Sequence, residues 1–436
     1  MKPRVAVIGG GVAGVSAAYH SMDRTDVTLF EAEPRLGGHA NTIEVEDDGR
    51  VLGLDTAFIV YNEPHYPTLT RFFDDLDVPT QDHPGRFCFF DADSRTSYVS
   101  EDFDLAEEQV RELYPEDFHE LWSESRRFLS EAPRHFVRKQ AEIPLGEYLD
   151  RHGYSENFRY GFIVLIATAA WSVPADRIWD MPAATVIAFF FAHGNEGLGG
   201  RTAPWRTVTG GSVTYLRAAQ ERMAAAGVDI RTSAPVLGVR EEAEAVHVRT
   251  ASGTESFDHV IMATHADDTM RLLETPSPRQ RILEKIGYQP TRATLHTDSS
   301  VLPVPRERWR SWNYGRVRTE RGQDSWVVYY LNDLQLLSSE TDYFLTLDSG
   351  VPIREESIIA DLSYRHPVIT TEVRRMQPEI RALNSDGSRV GFAGSYLHSR
   401  KMGVDIIGMH ESAFDSGAAA AEAMFEHIHG TAPHSS

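Results

Sequence analysis

The chain has 436 residues, of which 41% are hydrophobic and 25% charged; these are ordinary globular proportions, and the length points to two or three domains. Its 43 basic and 64 acidic side chains leave a formal net charge of −21, which argues against a nucleic-acid or anionic-membrane surface and favours solubility. A single cysteine, Cys88, rules out an intramolecular disulfide and a cysteine-based zinc cluster, as suits a reducing cytoplasm.

The first element is a strand, Val5-Ala6-Val7-Ile8, and no signal peptide is expected ahead of it. It runs into Gly9-Gly10-Gly11-Val12-Ala13-Gly14, a helix-compatible segment, and a second strand, Val27-Thr28-Leu29-Phe30, that ends in Glu31. Gly9 permits the tight turn, Gly11 lets backbone approach a pyrophosphate, and Gly14 lets helix pack on strand. The helix N-terminus then offers N–H groups and a positive dipole end to phosphates. Glu31 follows by about twenty positions, where a carboxylate accepts from ribose hydroxyls. A second glycine turn, Gly37-Gly38-His39, fits the middle of a long dinucleotide better than an ordinary turn. Residues 51–60 read as one strand-like run, in which Asp55 and Thr56 either reach the cofactor or begin a turn.

From residue 66 to about 142 the text is that of amphipathic helices, with Leu69, Phe72 and Phe73 on one face and a carboxylate-rich solvated stretch over 101–138. A short helix over 145–150 stops at Gly153. Residues 161–191 are the most apolar of the chain, but Pro174, Asp176, Arg177, Asp180 and Pro182 break them below the ~20 residues a membrane helix needs. They read as two buried helices whose aromatic side chains are core or part of an apolar pocket. Ser212 reads as the N-cap of a helix over 213–226 that Gly227 closes. Strands follow over 228–230, 235–240, 246–250 and 258–265, a return to α/β text. Beyond Arg292, strand candidates over 292–297, 325–331 and 343–347 suggest an antiparallel sheet. A strand over 390–394 and an alanine-rich helix over 414–427 precede a tail, 430–436, that reads as disordered.

Taken together, Val7 to Gly14, Glu31 to His39, Asp55 to Asn62 with Tyr66-Pro67, Trp205 to Ser212, Val260 to Thr264, Phe392-Ala393-Gly394 and Gly408-Met409-His410-Glu411 resemble the flavin-containing amine oxidase superfamily over nearly the full length. More narrowly they resemble its bacterial group of FAD-dependent oxidoreductases described as predicted NAD/FAD-binding proteins. The resemblance implies an α/β fold: a Rossmann-type FAD domain from 1–65, 205–275 and 388–430, with a substrate domain inserted as a helical part, 66–204, and a mixed-sheet part, 276–387. It implies non-covalent FAD rather than NAD. Gly9, Gly11 and Gly14, with Val12 and Ala13, would face the pyrophosphate, and Glu31 with Ala32 the adenosine ribose. Gly37, Gly38 and His39 would lie at the middle of the cofactor, and Val236 would bracket the adenine through its backbone. Thr56, Ala263, Gly394, Gly408, Met409 and His410 complete the cofactor set, the last four towards the ribityl and isoalloxazine. One departure is a longer link over 395–407, which would reshape the wall above the flavin.

In such an enzyme the flavin takes a hydride at N5 while the protein supplies position and exclusion of water. His410 and Glu411 are the catalytic candidates for tuning or proton transfer; the alternative is that His410 only hydrogen-bonds and Glu411 caps a helix. Trp312, Tyr314 and Tyr396 either line the substrate pocket or pack the sheet. His410-Glu411 starts like a zincin motif, but Phe414 stands where its second histidine belongs, so no metal is expected. Cys88 is expected as a buried thiol. The expected activity is oxidation or desaturation of a largely apolar lipid, polyketide or secondary-metabolite chain, with oxygen or another acceptor reoxidising the flavin, in a cytoplasmic protein. Amine oxidation, flavin-dependent isomerisation and non-catalytic nucleotide binding are the alternatives.

Overall fold

The computed structural model describes residues 2–171, 177–193, 204–319, 322–397 and 406–429. Its first layer is a five-stranded parallel sheet in the order Asp229–Arg231, Asp26–Phe30, Arg4–Ile8, His259–Met262, Val390–Phe392. Three distant parts of the sequence supply these strands. Val5, Ala6 and Val7 are fully buried, as a strand covered on both faces requires. The helix Val12–Ser21 leaves the central strand and packs against the C-terminal helix His410–His429. Contact there is so close that a Cβ on Gly417 would stand 2.1 Å from the Ala13 carbonyl oxygen. Strands Val236–Glu241, Val246–Thr250 and Gly253–Phe257 form an antiparallel meander beside this sheet.

The second layer is a seven-stranded sheet in the order Ile358–Pro367, Tyr288–His296, Phe344–Leu347, Gly322–Tyr330, Trp312–Thr319, Phe87–Asp91, Thr96–Val99. It is antiparallel except where Trp312–Thr319 pairs in parallel with Phe87–Asp91, so the sheet is mixed. The helices Glu116–Val137, Val164–Trp171 and Ala183–His193 bury their apolar faces in the same continuous core.

Several sequence expectations are corrected here. Residues 66–142 are not helical throughout: Thr80–His83, Phe87–Asp91 and Thr96–Val99 are strands. Phe87 to Asp91 is buried at every position, so it carries no alternation to betray a strand. The run over 51–60 is not one strand. Arg50–Asp55 forms a hairpin with Thr42–Asp47, Phe58 turns at φ 55°, and Val60–Tyr61 joins a separate small sheet with Trp205–Val208. Ser212 does not cap its helix with its own side chain; the Val213 N–H donates to the Thr42 hydroxyl instead, at 2.9 Å. The C-terminal helix begins at His410, four residues earlier than expected, so His410 and Glu411 stand in its first turn. Cys88 is fully buried and burial pushes its thiol up to about 12, so it is an inert core group. The 430–436 tail and residues 398–405 of the long link fall outside the described residues, and among the described residues no helix is long and apolar enough to cross a membrane.

Candidate active site

Two glycine turns meet at the carboxyl end of the parallel sheet. Gly9 holds φ 101° and donates its N–H to the Phe30 carbonyl, while a Cβ there would sit 2.8 Å from the Ala263 carbonyl oxygen. The Gly37 N–H donates to Gly10 O at 2.8 Å, and Gly38 lies against Gly11 so closely that a Cβ would be 3.1 Å from the Gly11 Cα. Gly11 itself faces open space: a Cβ there meets nothing within 4 Å. It is also the N-cap of the helix Val12–Ser21, with no side-chain hydrogen bond capping that end. Open room above a helix end without a side-chain cap is what a pyrophosphate needs. The residues present therefore fit a dinucleotide.

Around this cradle, Glu31 accepts from the Gly10 N–H at 2.5 Å and from the Glu33 N–H at 2.8 Å, each oxygen keeping a further lone pair. Ala32 is exposed beside it. The Ala234 N–H donates to Glu31 O at 2.8 Å, which draws Val236 to the same end. Gly394 donates its N–H to the Ser416 hydroxyl at 2.9 Å, and Gly408 to Ser395 O at 2.8 Å.

From Thr56 and Gly408 the cradle's far end opens into a chamber with about 1200 Å³ of atom-free space, part of it open to solvent. One face of the seven-stranded sheet forms its floor. Register decides which side chains appear there: Phe87, Trp312, Tyr329 and Leu345 are successive cross-strand partners and all four line the chamber, as do Tyr314 and Leu347 one step along. Thr291 and its partner Tyr364 extend the lining, and Phe58, Tyr66, Trp205 and Gly408-Met409-His410 complete much of it. Thr56 donates its hydroxyl to Asn41 O at 2.8 Å and hydrogen-bonds the Tyr364 phenol.

Among the described residues, the lining has no aspartate, glutamate, lysine or arginine. Its two histidines are uncharged at neutral pH: burial lowers His366 to about 4 and His410 to about 3. The His410 ring lies against Phe58, with centroids 4.7 Å apart and the rings tilted by 36°, and its Nε2 hydrogen-bonds the Tyr215 phenol at 3.1 Å. His39 lies between cradle and chamber among His265, Tyr364 and His366, and burial holds it well below the usual histidine range.

The sequence-derived set is thus divided. Trp312 and Tyr314 stand on the floor, whereas Tyr396 is buried outside the lining, its ring against Gly394. Glu411 also points away from the chamber. Its two oxygens accept the Thr68 and Leu69 N–H groups at 2.9 Å each, at the first turn of the helix Pro67–Asp75, and the group serves that helix end rather than a reacting atom. Glu411→Ala is expected to cost about 1–3 kcal/mol in urea unfolding, with Glu411→Gln recovering part of it. Sequence reasoning missed Tyr329, Tyr364, His366 and Phe58 as lining residues. Trp312, once flagged, would have led to Tyr329, but only with the strand register known.

A family model described as flavin containing amine oxidoreductase matches residues 12–303. An L-amino-acid oxidase from Pseudechis australis is 22% identical over 403 residues, covering 86% of this chain and 73% of that protein. Among solved structures, wild-type putrescine oxidase bound to putrescine superposes with a TM-score of 0.69 at 15% identity, over 98% of this chain and 99% of that one. A fatty acid isomerase from P. acnes that produces CLA superposes with a TM-score of 0.66 at 16% identity, over 97% and 99%.

Proposed function

The chain belongs to the flavin-containing amine oxidoreductase family, and from that membership we propose that it oxidises a largely apolar, uncharged substrate at a carbon held over the flavin. It is an FAD-dependent oxidoreductase; the substrate class is our reading. The observation that carries it is the chamber lining, aromatic and aliphatic with no side-chain charge among the described residues. An ammonium or carboxylate entering such a space would lose its hydration without a counter-charge, at a cost of several kcal/mol. A lipid, polyketide or similar secondary-metabolite chain loses nothing polar and gains roughly 25 cal/mol per Å² of buried apolar surface.

In this reading the helix end at Val12 and Ala13 donates to the pyrophosphate, beside Gly9, Gly11, Gly14 and the Gly37-Gly38-His39 turn. Glu31 and Ala32 take the ribose and Val236 the adenine. Thr56, Ala263, Gly394 and Gly408-Met409-His410 hold the ribityl and ring end without a covalent bond. Bound there, the flavin supplies a hydride acceptor. Trp312, Tyr314 and Tyr329 place the substrate and keep water out, and His410, neutral, holds a directed hydrogen bond at the wall. Oxygen or another small acceptor takes the electrons, and the single buried cysteine fits a cytoplasmic setting.

Anaerobic mixing provides the test. Unsaturated long-chain lipids or polyketide chains are expected to bleach the visible flavin band, and small primary amines to leave it. The reverse result would replace this reading by amine oxidation. Turnover giving a product of unchanged mass would identify an isomerase.

A further inference from the structure

Behind one wall of the chamber, four separated stretches of sequence meet around His83. The strand Thr80–His83 pairs with Trp205–Val208 so that His83 and Trp205 are cross-strand partners. The chain then turns at Gly85, φ 67°, where a Cβ would collide with the Trp205 indole. The His83 and Trp312 rings meet edge to face, with centroids 5.8 Å apart at 88°, and the Trp205 and Trp312 rings lie 5.9 Å apart. Both indoles line the chamber, whereas His83 stands behind them. It is 3% exposed and held at both ring nitrogens: Nδ1 accepts the Gly85 N–H at 3.0 Å, and Nε2 hydrogen-bonds the Ser311 hydroxyl at 3.0 Å. Ser311 is fully buried and donates that hydroxyl to the Asp333 carboxylate at 2.5 Å. Asp333 belongs to the short helix Leu331–Leu334, whose last residue also lines the chamber.

We propose that Asp333, Ser311 and His83 form a hydrogen-bonded frame that fixes the Trp205 and Trp312 indoles at the chamber wall, with His83 as a residue that positions substrate through those two rings. Each donor and acceptor in the frame is determined. Ser311 gives its one proton to Asp333, and His83 Nδ1 is already an acceptor for Gly85. The one proton of a neutral imidazole therefore sits on Nε2 and points at the Ser311 oxygen. Burial keeps the ring neutral by lowering it to about 4. Serine, histidine and aspartate are also the residues of a hydrolytic triad, but their order here excludes one. The hydroxyl donates to the carboxylate and accepts from the imidazole, so nothing removes its proton to make a nucleophile. What the arrangement supplies is rigidity. Rotating the His83 ring would break two hydrogen bonds inside the fold, so its contact with Trp312 is held in one orientation.

The inference rests on the proposed function only in taking this wall as a substrate surface, and its first test needs no substrate. Holoprotein labelled with ¹⁵N in its histidine and tryptophan rings is compared with Ser311→Ala, Asp333→Ala and Asp333→Asn, while His83→Gln, Trp205→Phe and Trp312→Phe assign the signals. A single Nε2–H tautomer of His83 is expected in the wild type at neutral pH. Both alanine variants are expected to shift or broaden the Trp312 indole N–H signal. Asp333→Asn keeps an oxygen acceptor for Ser311 and is expected to restore it. A role confined to stability would lower the urea midpoint and leave the indole signals of the folded variants unchanged. That result, or an Nδ1–H tautomer in the wild type, would overturn the frame. The second test titrates oleyl alcohol into holoprotein and follows the visible flavin band. Binding is expected to weaken about two- to tenfold in Ser311→Ala, the worth of one aromatic pair, and to stay at the wild-type level in Asp333→Asn. Equal affinity in Ser311→Ala and wild type would overturn the positioning role. Absence of binding to the wild type would overturn the substrate reading, and the indole signals would still decide the frame.

Discussion

Gly11→Ala is expected to leave the fold intact and to weaken FAD retention about ten- to a hundredfold. The backbone at Gly11 has φ −65°, which alanine adopts freely, and a Cβ there meets no protein atom within 4 Å. Any penalty must come from a ligand in that space, and overpacking of a close contact costs about 1–3 kcal/mol. Gly14→Ala is the companion. Its Cβ would lie 1.8 Å from the Gly9 carbonyl oxygen, so the strand-to-helix turn itself has to open. That variant is expected to lose both flavin and several kcal/mol of stability. Gly227→Ala is the control: φ is 89° with nothing within 4 Å, so it should cost about 1 kcal/mol and keep its colour. Flavin titration of apoprotein, read beside urea unfolding, separates the three. Full retention in Gly11→Ala would move the cofactor off this loop.

The second large effect is expected at Asp55. Asp55→Ala leaves the Thr42 and Ser212 hydroxyls and the Ser212 N–H without their acceptor inside the fold. A loss of about 3–5 kcal/mol follows. Its pH dependence has a definite sign. Burial raises the folded-state carboxyl from 3.8 to about 7, so the folded protein holds a proton that the unfolded chain has released. This contribution is complete below the unfolded value, falls as pH rises between the two, and is gone above about 7. At 1.36 kcal/mol per unit the fall amounts to about 4 kcal/mol. Glu411, raised to about 6, adds a smaller decline of the same sign. Urea unfolding at several pH values should show that slope in the wild type and a shallower one in Asp55→Asn. An equal slope in both would mean that Asp55 does not titrate across this range.

Legibility from sequence was uneven, and the reason is distance along the chain. The Val5 to Gly14 turn, the acid at Glu31 and the return of α/β text near Val260 could be read because strand, turn and helix are contiguous and each glycine answers a local demand of φ or close approach. The five parallel strands occur where that reading placed them, apart from end shifts of up to three residues. The segment over 66–142 was less legible. Its strands lie between helices, and Phe87 to Asp91, buried on both faces, has no periodicity of its own.

The fates of the two acids show the same limit. Nothing local distinguishes Asp55 or Glu411 from a carboxylate aimed at substrate; Glu411 is spent on the Thr68 and Leu69 amides only because the helix Pro67–Asp75 begins opposite it. By itself, then, the sequence determined the two glycine turns, the family and the flavin, since these rest on short-range backbone geometry and on motifs within single segments. Only the tertiary structure decided the chamber's lining, the separation of Tyr396 from Trp312 and Tyr314, and the burial of Asp55 against Thr42 and Ser212. Those depend on strand register and on contacts between residues hundreds of positions apart, which packing sets and no local pattern encodes.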